Sequence, residues 1–383
     1  MKKKKIIIIS SSIILIIVAF FLLTSTHSMD SHDHGDHDDH GDHDSHEGMS
    51  AMKHGHLTTF GPGEAPHLHN IDYSKLETIP DIAKDPKEVP PPLNRNYSKI
   101  VKIYLEAKEV ISDIAPNVSY HYWTFNETIP GPFLRVREGD TVELTLSSDK
   151  TNTHDHSIDL HAVTGPMGGA ILTQVKPGEE KTMRFKALNP GLFVYHCGAG
   201  DHGNVPMHLA QGMYGMILVE SKEPLSKVDK EFYVMQGELY TAGKIGEKGF
   251  QEFDPNKMLY ENPEYVTLNG RINALADHFM TADVGESVRI YFGDAGVSLV
   301  SSFHIVGEIF DKLYEYGSLT SIKNNVQTAV VPAGGAAIVD VVFDVPGKYV
   351  LVDHSLARID KGAWGVLQAN GKEQPQIYRG ITK

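Results

Sequence analysis

Residues 189–197 read Asn-Pro-Gly-Leu-Phe-Val-Tyr-His-Cys, and residues 345–355 read Val-Pro-Gly-Lys-Tyr-Val-Leu-Val-Asp-His-Ser. Two further stretches repeat in the same order: residues 137–144 match residues 283–290, and residues 175–181 match residues 331–337. Three ordered matches indicate an internal duplication. We therefore predict two copies of one domain in the 383-residue chain, at about 96–222 and 229–370, followed by a tail at 371–383.

The duplicated region alternates apolar and polar residues in short runs, which Gly, Pro and Asn separate. Residues 101–107 (Val-Lys-Ile-Tyr-Leu-Glu-Ala) and 141–146 (Thr-Val-Glu-Leu-Thr-Leu) have the two-residue period of a half-buried strand. No long helical period interrupts this pattern. Many short strands with such spacing are typical of a β-sandwich, so the predicted fold class is all-β, with two tandem β-sandwich domains.

The N-terminal segment predicts export from the cytoplasm. Four lysines at 2–5 precede an apolar run from Ile6 to Leu23, which is typical of a secretion signal or an uncleaved membrane anchor. We assign residues 1–28 to this element and expect a periplasmic or other extracytoplasmic location. Cys197 is the single cysteine and cannot form an internal disulfide, so packing or a bound metal must stabilise the folded chain.

Residues 29–95 have the composition of a disordered tract followed by a linker. Asp-His-Gly repeats within residues 27–56 hold nine of the 21 histidines and too little apolar surface to fold. This tract is either a weak copper- or zinc-capturing segment or a solvated spacer. The prolines within residues 78–93 predict a stiff linker. The formal charge of −14 argues against nucleic acid as a partner.

Cys197, His208 and Met213 supply most of one copper site. A blue-copper site holds its ion with two His and one Cys in a plane and with a weak axial Met. The order Cys…His-x4-Met lets one loop supply three of these ligands, and His156 is the candidate for the second histidine. A free cysteine is otherwise a small buried apolar residue, but the order of its neighbours favours the metal site.

A second site follows from strand geometry. Because neighbouring residues on a strand point to opposite faces, His196 should point away from the site of Cys197. His161 and His156 differ by an odd number, so His161 should likewise point away from the site of His156. His354 offers a third imidazole. Three neutral histidines with an open coordination position indicate a catalytic metal site.

Two titratable residues are candidates for proton delivery to this second site. Asp159 lies between the two histidines of its segment, where a carboxylate can hydrogen-bond a metal-bound ligand and deliver a proton. His304 is the other candidate, since the unperturbed histidine pKa of about 6.5 suits proton transfer near neutral pH.

Aligning the two copies by sequence gives three pairs of positions: His156 with His304, His196 with His354, and Cys197 with Ser355. On this alignment the second copy keeps two histidines but lacks the thiolate and the His-x4-Met loop.

Together these motifs resemble those of the copper-containing, NO-forming nitrite reductases, from Asn96 to about Ile377. The matching motifs are His156-x2-Asp159-x-His161, His196-Cys197, His208-x4-Met213, Ser301-Ser-Phe-His304 and Leu351-Val-Asp-His354. The resemblance implies two cupredoxin-like Greek-key sandwiches, a homotrimer, and reduction of nitrite to nitric oxide and water with one electron and two protons. The electron donor would be a small blue-copper protein or a c-type cytochrome.

The resemblance also implies a role for each residue and two copper ions per chain. The type 1 ligands would be His156, Cys197, His208 and Met213, and the type 2 ligands His161, His196 and, from a neighbouring subunit, His354. Asp159 and His304 match the pair that relays protons to nitrite. Two positions depart from the family pattern: the segment between Cys197 and His208 is long and carries His202, which we place on the surface, and Val306 replaces the usual isoleucine.

Two alternative functions fit part of this pattern. A two-domain multicopper oxidase would use pairs such as His154-Asp-His156, but it needs four such pairs, and Gly198 stands where a His-Cys-His motif needs histidine. A non-catalytic blue-copper electron carrier would leave His161, His196 and His354 without a role. Copper content separates the three: two ions per chain for the reductase, four for the oxidase and one for the carrier.

Overall fold

The computed structural model describes residues 71–199 and 205–381, and within them the chain forms 21 strands and four short helices. The strands of the first half are β1 (Glu77–Thr78), β2 (Ile100–Ala115), β3 (Val118–Phe125), β4 (Leu134–Arg137), β5 (Thr141–Ser148), β6 (Asp159–Leu160), β7 (Glu180–Lys186), β8 (Gly191–His196) and β9 (Tyr214–Glu220). The strands of the second half are β10 (Lys230–Leu239), β11 (Gly249–Gln251), β12 (Tyr265–Leu268), β13 (Met280–Asp283), β14 (Ser287–Asp294), β15 (Ser301–Val306), β16 (Phe310–Tyr314), β17 (Ile322–Val326), β18 (Thr328–Val331), β19 (Gly335–Val342), β20 (Gly347–Asp353) and β21 (Trp364–Asn370). The helices are α1 (Ala170–Thr173), α2 (Val205–Ala210), α3 (Pro255–Leu259) and α4 (Ala274–Asp277).

The first sandwich consists of one sheet in the order β11-β3-β2-β5-β7, with β1 added beside β2, and a second sheet in the order β4-β9-β8-β6. The alternation in the sequence explains its core: Val142, Leu144 and Leu146 on β5 are all fully buried. The sheet that contains β6 and β8 carries the candidate ligands. The predicted all-β class is confirmed.

The second sandwich pairs the sheet β12-β10-β14-β19-β16-β17 with the sheet β13-β21-β20-β15-β18. It has an apolar core of its own, in which the rings of Phe292, Phe303 and Phe310 stack in a row with centroids 4.1 Å and 5.9 Å apart. Both sandwiches begin with the same parallel pairing, β2 beside β5 and β10 beside β14. The two copies therefore share one topology, as the repeat predicts.

Strand register corrects the sequence alignment at the end of the repeat. Strands β8 and β20 each start at the glycine of the matched Pro-Gly pair, and each pairs with the following strand without a bulge. Counting from this glycine, His196 corresponds to Val352 and Cys197 corresponds to Asp353. The sequence alignment would place two extra residues of the second copy within the strand, where the unbroken register leaves no room for them, so the alignment of His196 with His354 and of Cys197 with Ser355 is wrong.

The neighbouring ladder corrects the third pair in the same way. The matched valines Val175 and Val331 pair with His156 and Ser301, respectively. His156 therefore corresponds to Ser301, and the alignment of His156 with His304 is wrong as well. His304 lies three residues beyond Ser301, at the position that Asp159 has in the first copy.

The proline-rich segment lies along both sandwiches. Ile82 is 0% exposed, because it packs in the core of the first sandwich. Asp81 accepts hydrogen bonds of 2.7 Å and 2.8 Å from Arg271, and the carbonyl of Pro86 accepts one of 2.8 Å from the backbone N–H of Tyr233.

The predicted signal or anchor at 1–28 and the Asp/His-rich tract at 27–56 lie outside the described residues. Within residues 71–199 and 205–381, none of the helices has the length and apolar character needed to cross a membrane.

Replacing Ile82 with alanine should lower the free energy of unfolding by about 2–5 kcal/mol, because it leaves a cavity where the N-terminal segment enters the core. Ile100→Ala is the matched control: Ile100 is 58% exposed, so its loss should change stability by no more than about 0.5 kcal/mol. Urea unfolding of both variants measures the difference. Equal losses would show that the segment is not held by this side chain.

Candidate metal centres

Three donor atoms converge in the first sandwich. His208 Nδ1 lies 3.2 Å from Cys197 Sγ and 3.3 Å from His156 Nδ1. Among the described residues, His156, Cys197 and His208 are the one group of three His, Cys, Asp or Glu whose donor atoms all lie within 4.8 Å of one another. All three side chains are buried.

The backbone fixes this arrangement. Cys197 follows β8, and its N–H donates to the carbonyl of Met213 at 3.0 Å. The N–H of Met213 in turn donates to the carbonyl of His208, which lies in α2, at 3.1 Å. Met213 is fully buried. The segment from Cys197 to Met213 thus closes back on itself, as the Cys…His-x4-Met spacing predicts.

Burial keeps the side chains of this cluster in their neutral forms when no metal is bound. Burial raises the pKa of the Cys197 thiol to about 11. Burial, followed by the charge of His156, lowers the pKa of His208 well below its usual value, and burial also lowers that of His156. Both imidazoles are therefore neutral at pH 7 and can offer a lone pair, while the thiol gives up a proton only to a metal.

The donor set fits copper. Ligand bonds of about 2.0–2.3 Å around one ion place neighbouring donor atoms about 3.4 Å apart, close to the observed separations. One thiolate and two imidazoles, with a buried thioether at residue 213, are the ligands that a blue-copper ion takes.

A second pair of histidines lies on the other face of the same sheet. His161 Nε2 is 3.1 Å from His196 Nε2, with the rings nearly perpendicular. The carbonyl of Cys197 accepts a 2.9 Å hydrogen bond from His196 Nδ1, so in the neutral ring Nε2 carries the lone pair. Packing around the ring and then the facing His196 lower the pKa of His161.

Asp159 lies on this same face. It stands directly opposite His196 in the β6–β8 ladder, and cross-strand partners share a face. Its carboxylate packs against Gly168, where a Cβ would come within 1.8 Å of Oδ1 and where φ is +54°. Only glycine therefore leaves room for this carboxylate beside the histidine pair.

His304 and His354 form a separate pair in the second sandwich, with ring centroids 5.3 Å apart. The carbonyl of Gln327 accepts a 2.6 Å hydrogen bond from His304 Nδ1. His354 is exposed and follows the end of β20. Within one chain, the described residues do not bring His354 together with His161 and His196 in a three-ligand cluster.

Two further positions complete the predicted set. His202 lies in residues 200–204, outside the described residues. Val306 is 49% exposed at the end of β15, two residues after His304.

Sequence reasoning missed Glu109, which contacts the first cluster. Its carboxylate Oε1 lies 3.1 Å from His156 Nε2, and the side chain is fully buried. A signal was present: Glu109 occupies the same phase of β2 as the buried residues Leu105 and Ala107, where an apolar residue is the rule.

Comparison with known proteins decides the family. A copper-containing nitrite reductase of Neisseria meningitidis serogroup B is 49% identical over 305 residues, which cover 79% of this chain and 77% of the relative. One from Alcaligenes faecalis is 33% identical over 310 residues, which cover 73% of this chain and 81% of the relative. The chain belongs to the copper-containing nitrite reductases.

A solved structure and a family model agree with this membership of the copper-containing nitrite reductases. The copper nitrite reductase of Nitrosomonas europaea superposes with a TM-score of 0.63 at 34% identity, covering 73% of this chain and 98% of that chain. A family model described as multicopper oxidase matches residues 107–224, which is the first sandwich.

The site geometry separates this reductase from a multicopper oxidase. His154, which would form a His-x-His pair with His156, packs against the ring of Trp123, with ring centroids 4.2 Å apart and ring planes tilted by 38°. Its Nδ1 lies 2.8 Å from Thr153 Oγ1 and 3.4 Å from Glu109 Oε1. His154 is therefore engaged in side-chain contacts and does not complete a second cluster of donors.

Copper affinity of the first centre should rise about tenfold per pH unit near neutral pH, because the ion displaces one proton from the Cys197 thiol, whose pKa is about 11. His156 and His208 are already neutral and release none. The thiolate-to-copper absorption band, titrated against a chelator at about pH 6.5 and about pH 7.5, measures this slope. A pH-independent affinity would mean that the thiolate exists before copper binds. Cys197→Ser should lack the band altogether.

Proposed function

We propose that this chain reduces nitrite to nitric oxide and water, consuming one electron and two protons for each nitrite. The observation that carries the proposal is the placement of two ligand sets on opposite faces of one strand, with Cys197 in the buried cluster and His196 beside His161. Its relatives of known name are copper-containing nitrite reductases, and both the substrate and the metal follow from that membership.

His156, Cys197, His208 and Met213 would hold a type 1 copper, and His161 and His196 two-thirds of the ligands of a type 2 copper. This gives two ions per chain. Copper, when bound, supplies the one-electron chemistry that no side chain in these clusters can provide. The protein residues hold the ions, bind the substrate and handle the protons.

The two ligand sets are joined by two short bonded routes. Cys197 and His196 are neighbours, so their side chains are connected through a single peptide unit. A second route is the hydrogen bond from His196 Nδ1–H to the Cys197 carbonyl, 2.9 Å long. This hydrogen bond also fixes the His196 ring so that Nε2 faces His161.

A third imidazole for the type 2 copper would come from His354 of another copy of the chain. The His161–His196 pair and His354 each reach the surface of one chain. Among the described residues they do not come together in one cluster. Each chain thus has one incomplete half-site with two imidazoles and another half-site with His304 and His354. A closed ring in which each chain offers both halves to its neighbours completes every site, and we propose a homotrimer.

Asp159 and His304 would deliver the two protons. The Asp159 carboxylate stands on the face of His196, where it can hydrogen-bond the oxygen of nitrite that leaves as water. His304 donates from Nδ1 to the Gln327 carbonyl, which leaves Nε2 to take up or release a proton toward the site. Two separate groups, one from each half-site, match the two protons of the reaction.

The sequence and the family resemblance support a proposal for the electron donor and for the cellular location. The donor would be a small blue-copper protein or a c-type cytochrome. We propose a periplasmic or other extracytoplasmic location, which the four lysines at 2–5 and the apolar run from Ile6 to Leu23 support.

Replacing His161 with alanine should reduce anaerobic nitric oxide production by more than about 100-fold, since even residues that only orient a metal ligand contribute about 10–100-fold. The thiolate-to-copper absorption should persist, because His161 lies on the other face of the sheet. His278→Ala is the control: this histidine contacts Asp81 and not the site, so turnover should not change. Unchanged nitric oxide production in His161→Ala would contradict the proposed catalytic site.

Mixing two inactive variants tests the shared site. If His161 and His354 in one site come from different chains, then co-expressed His161→Ala and His354→Ala chains form some sites that lack neither residue. Random assembly gives about one quarter intact sites, and thus about one quarter of wild-type activity. If each chain completed its own site, every site would lack one histidine, and the mixture would stay as inactive as its components.

A further inference from the structure

Glu109 is a buried carboxylate surrounded by histidines. It is 0% exposed, and no lysine or arginine among the described residues pairs with it in the ion pairs of this region. His156 Nε2 lies 3.1 Å from Oε1, and His121 Nε2 lies 3.1 Å from Oε2.

Part of the role of Glu109 is structural, and the second sandwich shows this part in isolation. Glu238 is its counterpart, because the two glutamates occupy the same position in their ladders. In each copy one residue pairs with the last residue of the adjacent parallel strand, Ser148 or Asp294, and the glutamate follows two residues later. Each is buried. The equivalence rests on ladder register alone, independently of any side-chain contact.

Both glutamates hold the same loop. Glu109 Oε1 accepts hydrogen bonds from the backbone N–H groups of Thr153 and His154, both 2.9 Å long. Glu238 Oε1 accepts them from Ser298 and Leu299, 3.2 Å and 2.8 Å long. Two consecutive N–H groups bound by one carboxylate oxygen are therefore a feature that both copies share.

The contact with a metal-ligating histidine occurs in the first copy alone. Two residues after the bound N–H pair, the first copy has His156 and the second copy has Ser301. Ser301 Oγ donates to Gln236 Oε1 at 2.9 Å, whereas the remaining oxygen of Glu238 accepts a hydrogen bond from the Tyr240 hydroxyl. Loop support thus explains both glutamates, but it does not explain why one of them also faces His156.

We propose that Glu109 is a positioning residue for the type 1 copper, acting through His156. A carboxylate oxygen can only accept, so His156 donates from Nε2 and presents the lone pair of Nδ1 to the ion. The carboxylate also places a negative charge one imidazole ring away from the ion. This charge favours the oxidised, more positive ion, and so it lowers the reduction potential of the centre.

The experiment compares Glu109→Gln with Glu238→Gln in the full, copper-loaded chain. A carboxamide keeps an oxygen that can accept from the loop N–H groups but removes the negative charge. In Glu109→Gln the ratio of reduced to oxidised type 1 copper at a fixed potential should rise at least tenfold, which corresponds to about 59 mV for one electron. In Glu238→Gln the ratio should stay within twofold of wild type, or about 18 mV.

If the ratio of reduced to oxidised copper in Glu109→Gln stays within twofold of wild type, the proposal is overturned. An equal shift of this ratio in both variants would overturn it as well. The thermal unfolding midpoint of each variant reports the loop contact that both glutamates share, and it should fall by a similar amount in the two variants. If Glu109→Gln does not fold, nitrogen NMR of the copper(I)-loaded wild type decides instead. The proposal requires a proton on His156 Nε2 that is protected from exchange with solvent, and an unprotonated Nε2 would exclude it.

This inference rests on the proposed type 1 site, and the two can fail separately. A wild-type protein without thiolate-to-copper absorption would remove the site itself. A wild-type protein with that absorption, whose potential ignores the charge of residue 109, would remove only the role of Glu109.

Discussion

The alternation of side chains along one strand controls the chemistry of this protein. At the end of β8, His196 and Cys197 must point to opposite faces, because their backbone is held in ladders with β6 and β9. One peptide unit therefore separates two different environments. The inner face is closed and offers sulfur, and the outer face is open and offers imidazole nitrogen. Any distortion of this strand end would move both ligand sets together.

The two sandwiches differ at the positions that bring candidate donor atoms together in the first of them. The position of Cys197 is occupied by Asp353 in the second copy, and that of His156 by Ser301. Asp353 is buried, yet its carboxylate is satisfied by Arg358 and by the backbone N–H groups of Ser302 and Ser355. The second copy therefore satisfies the buried carboxylate at the end of its strand with hydrogen bonds and one ion pair.

Short-range patterns in the sequence were sufficient to predict the all-β class and to single out candidate donor residues of the inner cluster. Cys197, His208 and Met213 are close in the chain and unusual in order, and the two-residue period orients His161 and His196 without knowledge of the fold. The alignment of the copies failed at Val352 and Asp353, since sequence similarity at Pro-Gly and at His could not say where two extra residues lie. Only ladder register, a long-range property, decides that. Glu109 was missed for a related reason: the loop N–H groups and the His156 ring that it contacts are 44 to 47 positions away.

The proposed assembly has a thermodynamic consequence for the outer site. An isolated chain offers two imidazoles there, His161 and His196, whereas an assembled one adds His354 of a neighbour. A metal ion that binds the three-ligand site more tightly than the two-ligand site must stabilise the assembly by the same free energy, because the two equilibria are linked. Exposure of His354 in the single chain is consistent with this coupling, since a neutral imidazole on the surface costs little before assembly and becomes a ligand after it. In the proposed assembly, copper occupancy and oligomeric state would therefore be coupled, and a complete outer site would require both.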